Sequence, residues 1–228
     1  MQTSQIKTYY DELAQRYDHD RFANTYGAFI DRQERRILRR YLKQPLAAPT
    51  IDLACGTGRF MDFCTAGLDI SPEMLRIARE KHPDKAFHEG NILQTPLPTA
   101  KYQAALSFHL IMHLDAPDLA RLLLQTHQLL QPGGLFIFDL PSQERRALLR
   151  TRTQGWHGSN AYRQTEVKAL LQNHWKIIEQ TGILFLPIHR LPTWARRPLT
   201  ALDTLLCRTA LKKYASYRVY VLQKISPE

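Results

Sequence analysis

Two hydrophobic rhythms run along the chain. In residues 24–43 apolar positions recur every three to four residues. Tyr26, Phe29, Ile30, Ile37, Leu38, Tyr41 and Leu42 share one stripe, with Asp31, Arg32, Glu34, Arg35, Arg39 and Arg40 opposite. That spacing predicts an amphipathic helix, ended by Pro45 and Pro49. Short apolar runs follow, predicting strands at 50–54, 66–70, 85–88, 102–108 and 135–140. Helices are predicted over 72–81 and 117–130. Ser71-Pro72 starts the first of these, with proline in the first turn, where its missing N–H costs nothing. Residues 91–101 read as loop, and Gln131-Pro132-Gly133-Gly134 reads as a break before the fifth strand.

Beyond residue 140 the pattern changes. Helices are expected near 142–150 and 165–173, and a strand over 175–185. An irregular stretch holds Pro187, Pro192 and Pro198, and a helix over 199–213 precedes a last strand at 214–223. Strand–helix alternation of this kind predicts an α/β fold, a doubly wound sheet with helices on both faces.

The 228 residues are 44% hydrophobic and 23% charged, a folding composition that excludes disorder, collagen and a disulfide scaffold. The net charge of +10 is unevenly placed: residues 1–140 carry 16 Lys and Arg against 16 Asp and Glu, and residues 141–228 carry 15 against 5. A neutral half joined to a basic, substrate-facing half fits this better than a uniformly basic nucleic-acid binder. Cys55, Cys64 and Cys207 fit neither a zinc set nor a disulfide framework. The first residues show no signal-peptide pattern, and no apolar run approaches the ~20 residues of a membrane span. The expectation is a cytoplasmic protein.

The chemistry concentrates in Ile51-Asp52-Leu53-Ala54-Cys55-Gly56-Thr57-Gly58-Arg59, an apolar strand entering a glycine turn. In a doubly wound sheet the ligand sits at such strand ends, and Gly56 and Gly58 let backbone approach it. Asp69, at the end of the next strand, can accept both hydroxyls of a ribose. A dinucleotide fingerprint needs a third glycine where this chain has Met61. The remaining candidate is a nucleoside without a pyrophosphate, and Asp52 beside the turn suits a cationic amino-acid group on it.

Ile51–Gly58, Gly67–Leu75, Glu89–Ile92, Leu129–Phe138 with its Pro-Gly-Gly, and Tyr10–Asp18 together resemble the motifs of class I S-adenosylmethionine-dependent methyltransferases. The group resembled is the small-molecule one that includes the quinone-biosynthesis C-methyltransferases. The resemblance covers residues 9–140 and, more weakly, 160–185. It implies a Rossmann-like, mostly parallel seven-stranded sheet with an antiparallel last strand. It implies one domain over 1–228: a helical cap (1–45), a cofactor-binding core (46–140) and a substrate-side half (141–228) with an insertion at 186–213. The implied cofactor is S-adenosylmethionine, held by Tyr17, Asp52, Ala54, Cys55, Gly56, Gly58, Asp69, Ile70, Met74, Asn91, Ile92, Ser107 and Phe108. Departures are Ala54 for a frequent glycine, Asn91 and Gln103 for frequent aspartates, and a Gly58–Asp69 interval short enough to clip the intervening helix.

His109 follows the fourth strand and is the candidate general base, against a packing role. His113 lies one helical turn on. Spacing indicates no third ligand, so no metal is expected. Trp156, His157, Tyr162, His189, Arg190 and Trp194, with His113, suit an aromatic, quinone-like, lipid-soluble or anionic small-molecule acceptor; singly, each reads equally as loop packing. In the helix at 199–213, Leu199, Leu202, Leu205, Leu206 and Ala210 share a face, followed by Arg208, Lys212 and Lys213. The face either packs on the sheet edge or rests, through 196–213, on the inner, anionic face of a membrane. An RNA or protein methyltransferase and an inactive nucleoside-binding protein are the alternatives. Nucleic acid is not an expected partner: the strand-four exit, Ser107-Phe108-His109, lacks the Pro-Pro element of amino-methylating enzymes, and no Pro-Cys dipeptide marks a cytosine nucleophile.

Overall fold

The computed structural model describes residues 3–42, 48–94, 97–151, 158–171 and 174–225. Helices α1 (Thr3–Leu13), α2 (Tyr17–Phe22) and α3 (Thr25–Tyr41) precede the sheet. Asn24 caps α3 by accepting from the Gly27 N–H. Gly27 is obligatory there, because a Cβ would lie 1.8 Å from the Arg21 carbonyl oxygen where α2 turns into α3.

The core elements are β1 (Thr50–Leu53), β2 (Ala66–Asp69), α4 (Pro72–Lys81), β3 (Ala86–Glu89), β4 (Tyr102–Ser107), α5 (Ala116–Leu129) and β5 (Leu130–Pro141). Then come α6 (Gln143–Leu148), α7 (Gln164–Leu171), β6 (Trp175–Ile183), α8 (Thr193–Leu206) and β7 (Tyr217–Lys224). The seven strands lie in the order β3-β2-β1-β4-β5-β7-β6. β1 to β5 pair in parallel, and β7 runs antiparallel to both its neighbours. The order reverses between β1 and β4, the point at which such sheets open a crevice for ligand.

Alternation along the central strands feeds two cores. Ile51, Leu53, Ala105, Phe136 and Phe138 pack with α5, α7 and Trp175 on one face. Leu106, Ile137, Val219 and Val221 pack with α3, Phe60 and Met61 on the other. Both faces are therefore sealed, and polar chemistry is confined to the strand ends.

The link from β1 to β2 is short, as the Gly58–Asp69 interval implied, and contains only a 3-10 turn, Met61–Phe63. Two elements differ from the sequence-based expectation. The Pro-Gly-Gly stretch does not precede β5 but lies within it, absorbed by a register shift opposite Tyr102 and Ala104. The helix expected over 199–213 begins at Thr193 and ends at Leu206, followed by a 3-10 turn, Ala210–Tyr214. Its expected apolar face is split: Leu199 is half-buried, whereas Leu202 and Leu205 point outward and the fully buried position is Asp203. Asp203 Oδ1 accepts from the Leu186 N–H and Oδ2 from Gln33 Nε2, each at 2.7 Å. A satisfied carboxylate can be the anchor of a helix where leucine was expected.

Candidate active site

The β1 turn begins with Ala54 at φ +66° and continues through Gly56 at +52° and Gly58 at +82°. An L-residue in this left-handed region costs about 1–2 kcal/mol, and Ala54 is held there by an N–H donated to the Leu68 carbonyl. The turn aims the Gly56 N–H at Asp69 Oδ2, 2.7 Å away, while Oδ1 takes the Ser71 N–H at 2.9 Å. Burial raises the Asp69 carboxyl, opposed by those backbone donors. Ser71 caps α4 at the Met74 N–H and donates its own hydroxyl to Asp11 of α1 at 2.5 Å.

This arrangement lines a cavity with Tyr10, Tyr17, Ala54, Gly56, Asp69, Ile70, Met74, Asn91, Ile92, Phe108, His109 and His113. Ile6, Gly90, Leu93 and Asp118 also line it. A lobe bounded by Tyr17, Asp52, Cys55, Arg59 and His109 adjoins it. Burial raises the Asp52 carboxyl to about 8, against the pull of Arg59 and with the help of Asp69. A third chamber is lined by Tyr10, Tyr17, Phe22, Tyr26, Met112 and Tyr217, with Arg21 and His109. Tyr17 and His109 belong to all three spaces.

His109 sits at that junction with φ +61°. Its N–H donates to Asp139 Oδ1 at 2.6 Å, which holds the strained turn. Nε2 lies 3.0 Å from Glu34 Oε1 and Nδ1 lies 3.4 Å from Asp139 Oδ2. Burial disfavours charge on the ring, but the two flanking carboxylates outweigh it and raise its pKa. Burial likewise acts to raise Glu34, yet Arg59 and His109 outweigh it and lower its pKa. Asp139 is raised by burial to about 6, with His109 opposing. Arg59 closes the cluster with Nη1 2.6 Å from Glu34 Oε2 and 3.0 Å from Asp31 Oδ1, its guanidinium over the Phe60 ring at 3.8 Å. Glu34, His109 and Asp139 bring three metal-ligand atoms within 4.8 Å of one another, a gathering that spacing along the chain did not indicate. Arg59 supplies the cation that faces Glu34 in this gathering.

The N-terminal helices close the cavity. Tyr10 OH meets His113 Nε2 at 2.9 Å, Thr57 Oγ1 donates to Asp18 at 2.6 Å, and Lys81 pairs with the same carboxylate. Lys7 adds a weaker contact to Glu89 at 3.7 Å.

Asn91 lines the cavity while its side chain is engaged locally, and the remaining expected site residues fall elsewhere. Gly58 lies outside these spaces; a Cβ there would meet His82 at 3.0 Å, so its glycine serves the turn and the approach of α4. Ser107 is fully buried in β4. The Asn91 side-chain oxygen holds the Leu93 N–H at 2.9 Å. Tyr162 is a core residue whose hydroxyl donates to the Leu114 carbonyl at 2.6 Å. His189 packs edge-on against Tyr26, with centroids 4.6 Å apart, behind the chamber wall. Arg190 is exposed, and Trp194 is 82% exposed. Trp156 and His157 lie outside the described residues.

Several contributors escaped sequence reasoning. Glu34 read as part of a solvated helix face but is 1% exposed. Asp139 carried a usable signal, an acid at the end of a strand that is otherwise apolar from Leu135 to Leu140. Tyr26 and Tyr217, far apart in sequence, meet only in the fold.

The donors fit S-adenosylmethionine: an acid at the β2 end for a ribose, apolar walls from Ile70, Met74 and Ile92 for a purine, and Asp52 in the adjoining lobe for an ammonium group. Residues 51–138 match the family described as "Methyltransferase domain". Over these residues the chain is similar to methyltransferases. A demethylmenaquinone methyltransferase of Chlorobaculum parvum is 28% identical over 156 residues, 64% of this chain and 64% of that protein. The chain spans 51–64% of the length of such curated relatives. The methyltransferase fold itself extends further. A Thermotoga maritima S-adenosylmethionine-dependent methyltransferase superposes with TM-score 0.71 at 17% identity, over 96% of this chain and 99% of that one. A phosphoethanolamine N-methyltransferase of Haemonchus contortus, solved with S-adenosylhomocysteine, gives 0.67 at 13% identity, over 98% of this chain and 49% of that one. No described helix is long and apolar enough to cross a membrane.

Proposed function

We propose that this protein transfers the methyl group of S-adenosylmethionine to a small, planar acceptor, phenolic or quinone-like, that carries negative charge and reaches the site from a lipid phase. The observation that carries this reading is the tyrosine- and phenylalanine-walled chamber joined to the cofactor cavity at Tyr10, Tyr17 and His109. Its rings suit a flat apolar body, and Arg21 suits an anion. The cofactor supplies the electrophilic methyl. The chain's part is alignment and exclusion of water, and alignment can be worth roughly 7–11 kcal/mol. With both ring nitrogens close to carboxylates, His109 acts as a positioning group and not as a general base. The acceptor is therefore one that is already nucleophilic when bound. An acceptor of this solubility calls for peripheral contact with an anionic membrane, through the region 196–213.

The test is titration calorimetry with S-adenosylmethionine, S-adenosylhomocysteine and NAD, followed by a screen of phenols and hydroquinones for S-adenosylhomocysteine release. Micromolar binding of the first two and none of NAD is expected. Asp69→Asn, which loses a charge-assisted bond, should weaken both by roughly 10–150-fold. Binding of NAD alone, or turnover only with amines, overturns the reading.

A further inference from the structure

Helix α8 carries apolar side chains on both its faces. Its inward stripe, Ala195, Leu199, Asp203 and Cys207 at intervals of four, is buried or half-buried and centred on the fully buried Asp203. Its outward stripe is Trp194, Pro198, Ala201, Leu202 and Leu205, spaced by three and four and exposed throughout. Trp194 is 82% exposed and Leu205 60%. Three aspects of this stripe bear on what covers it. An apolar outer face is not what a helix that serves only its own core presents to solvent. The chain continues the outer surface with exposed Leu211 in the 3-10 turn that follows. That turn packs against α6, whose C-terminal end exposes Leu148 and Leu149.

Charge selects the occupant. Between Gln180 and Pro227 the sequence contains one acid, Asp203, and it is consumed inside. Arg190, Arg197, Arg208 and Lys213 are exposed around the stripe. A surface with apolar side chains at its centre, cations at its rim and no exposed acid complements a layer that is anionic at its boundary and apolar beneath. Nucleic acid would match the cations and leave Trp194 and the leucines in water. We infer that the outward face of α8 docks on an anionic lipid bilayer, with Trp194, Leu202 and Leu205 entering the acyl boundary and Arg197, Arg208 and Lys213 at the headgroups. The same segment backs the acceptor chamber, since His189, just before α8, packs on Tyr26. Docking there brings the chamber to the lipid that holds an apolar acceptor. This purpose rests on the proposed function; the docking itself rests on the surface.

The experiment is flotation of the full chain with phosphatidylcholine vesicles, with and without phosphatidylglycerol, at low and high salt. Trp194 fluorescence is followed, with Trp194→Phe as control. The expected result is recovery with the anionic vesicles, a blue shift that Trp194→Phe removes, and release by salt. Leu202→Glu combined with Leu205→Glu should abolish recovery, and Arg197→Glu combined with Arg208→Glu should lower it by at least about tenfold. These four positions lie outside the cofactor cavity, so S-adenosylhomocysteine affinity should stay unchanged in every variant and reports that the fold is intact. No recovery at low salt overturns the inference, as does recovery that the leucine variant leaves unaltered. A salt-insensitive dimer dissolved by Leu205→Glu would also overturn it, making the stripe a protein interface. If vesicles bind but no phenol or hydroquinone is methylated, the acceptor reading fails and the docking surface stands.

Discussion

Asp52 and His109 show how one buried cluster sets the site's proton chemistry. With its carboxyl raised to about 8, Asp52 is protonated at pH 7. An ammonium group entering the adjoining lobe favours the carboxylate, so binding should release a proton. Calorimetry in buffers of different ionisation enthalpy should show this release at pH 7, with affinity rising toward pH 8 and the effect absent in Asp52→Asn. Heat independent of buffer would contradict it. For His109 the folded pKa lies above its unfolded value of about 6.5. Its stabilisation is complete below that value and is lost as pH rises through the folded pKa. Asp139, raised to about 6, acts in the same direction from its unfolded value of about 3.9 upward. Melting temperature should therefore fall on the alkaline side, and His109→Gln should flatten the decline above pH 6.5. Glu34→Gln leaves Arg59 buried without its closest partner and should cost about 3–5 kcal/mol. A melt unchanged from wild type would assign the cluster no structural weight.

At the scale of elements, α1 and α2 form a lid over the cavity. It is tied down at its edges, by Asp11 to Ser71 and by Asp18 to Thr57 and Lys81, and its inner contact is Tyr10 to His113. The contacts of Asp18 are half-exposed, so each is individually modest. Tyr10 and Tyr17 line the cavity, so opening of this lid is expected to govern ligand exchange. Asp18→Ala should raise the dissociation rate of S-adenosylhomocysteine several-fold while changing the melting temperature little. Stopped-flow displacement measures the first and calorimetric melting the second. An unaltered rate would place the gate elsewhere. The clipped β1–β2 crossover fits the same picture: with only a 3-10 turn after the glycine loop, Arg59 and Phe60 reach back toward α2 and α3 and tie the cap to the sheet.

For the whole molecule, the neutral first part and the basic last part of the chain correspond to two jobs. The strand ends of β1, β2 and β4 build the cofactor cavity, and the basic excess collects around α8 and its neighbours, away from it. Cofactor binding should stabilise the molecule as a unit. At a hundredfold excess over Kd, S-adenosylhomocysteine should add about 2.7 kcal/mol, raising the melting temperature by about 5–10 °C for a chain of this size. NAD at the same concentration should leave it unmoved. A shift with NAD and none with the sulfur nucleoside would reverse the assignment of the cavity.

The sequence by itself determined the strand–helix alternation, and with it the glycine turn and Asp69 at the carboxyl ends of neighbouring strands. These are local properties: a period of two or 3.6, a cap, a turn residue with left-handed backbone. It also announced the short crossover, because eleven residues from Gly58 to Asp69 leave no room for a full helix. Only the tertiary structure decided which polar residues are buried. Glu34, Asp139 and Asp203 each stand in segments whose pattern does not distinguish an exposed acid from a satisfied one. Their burial depends on partners 25 to 170 residues away along the chain. The same holds for the outward leucines of α8. Helical spacing places Leu202 and Leu205 on one face, but Asp203, held by Gln33 and the Leu186 backbone, decides which face turns inward.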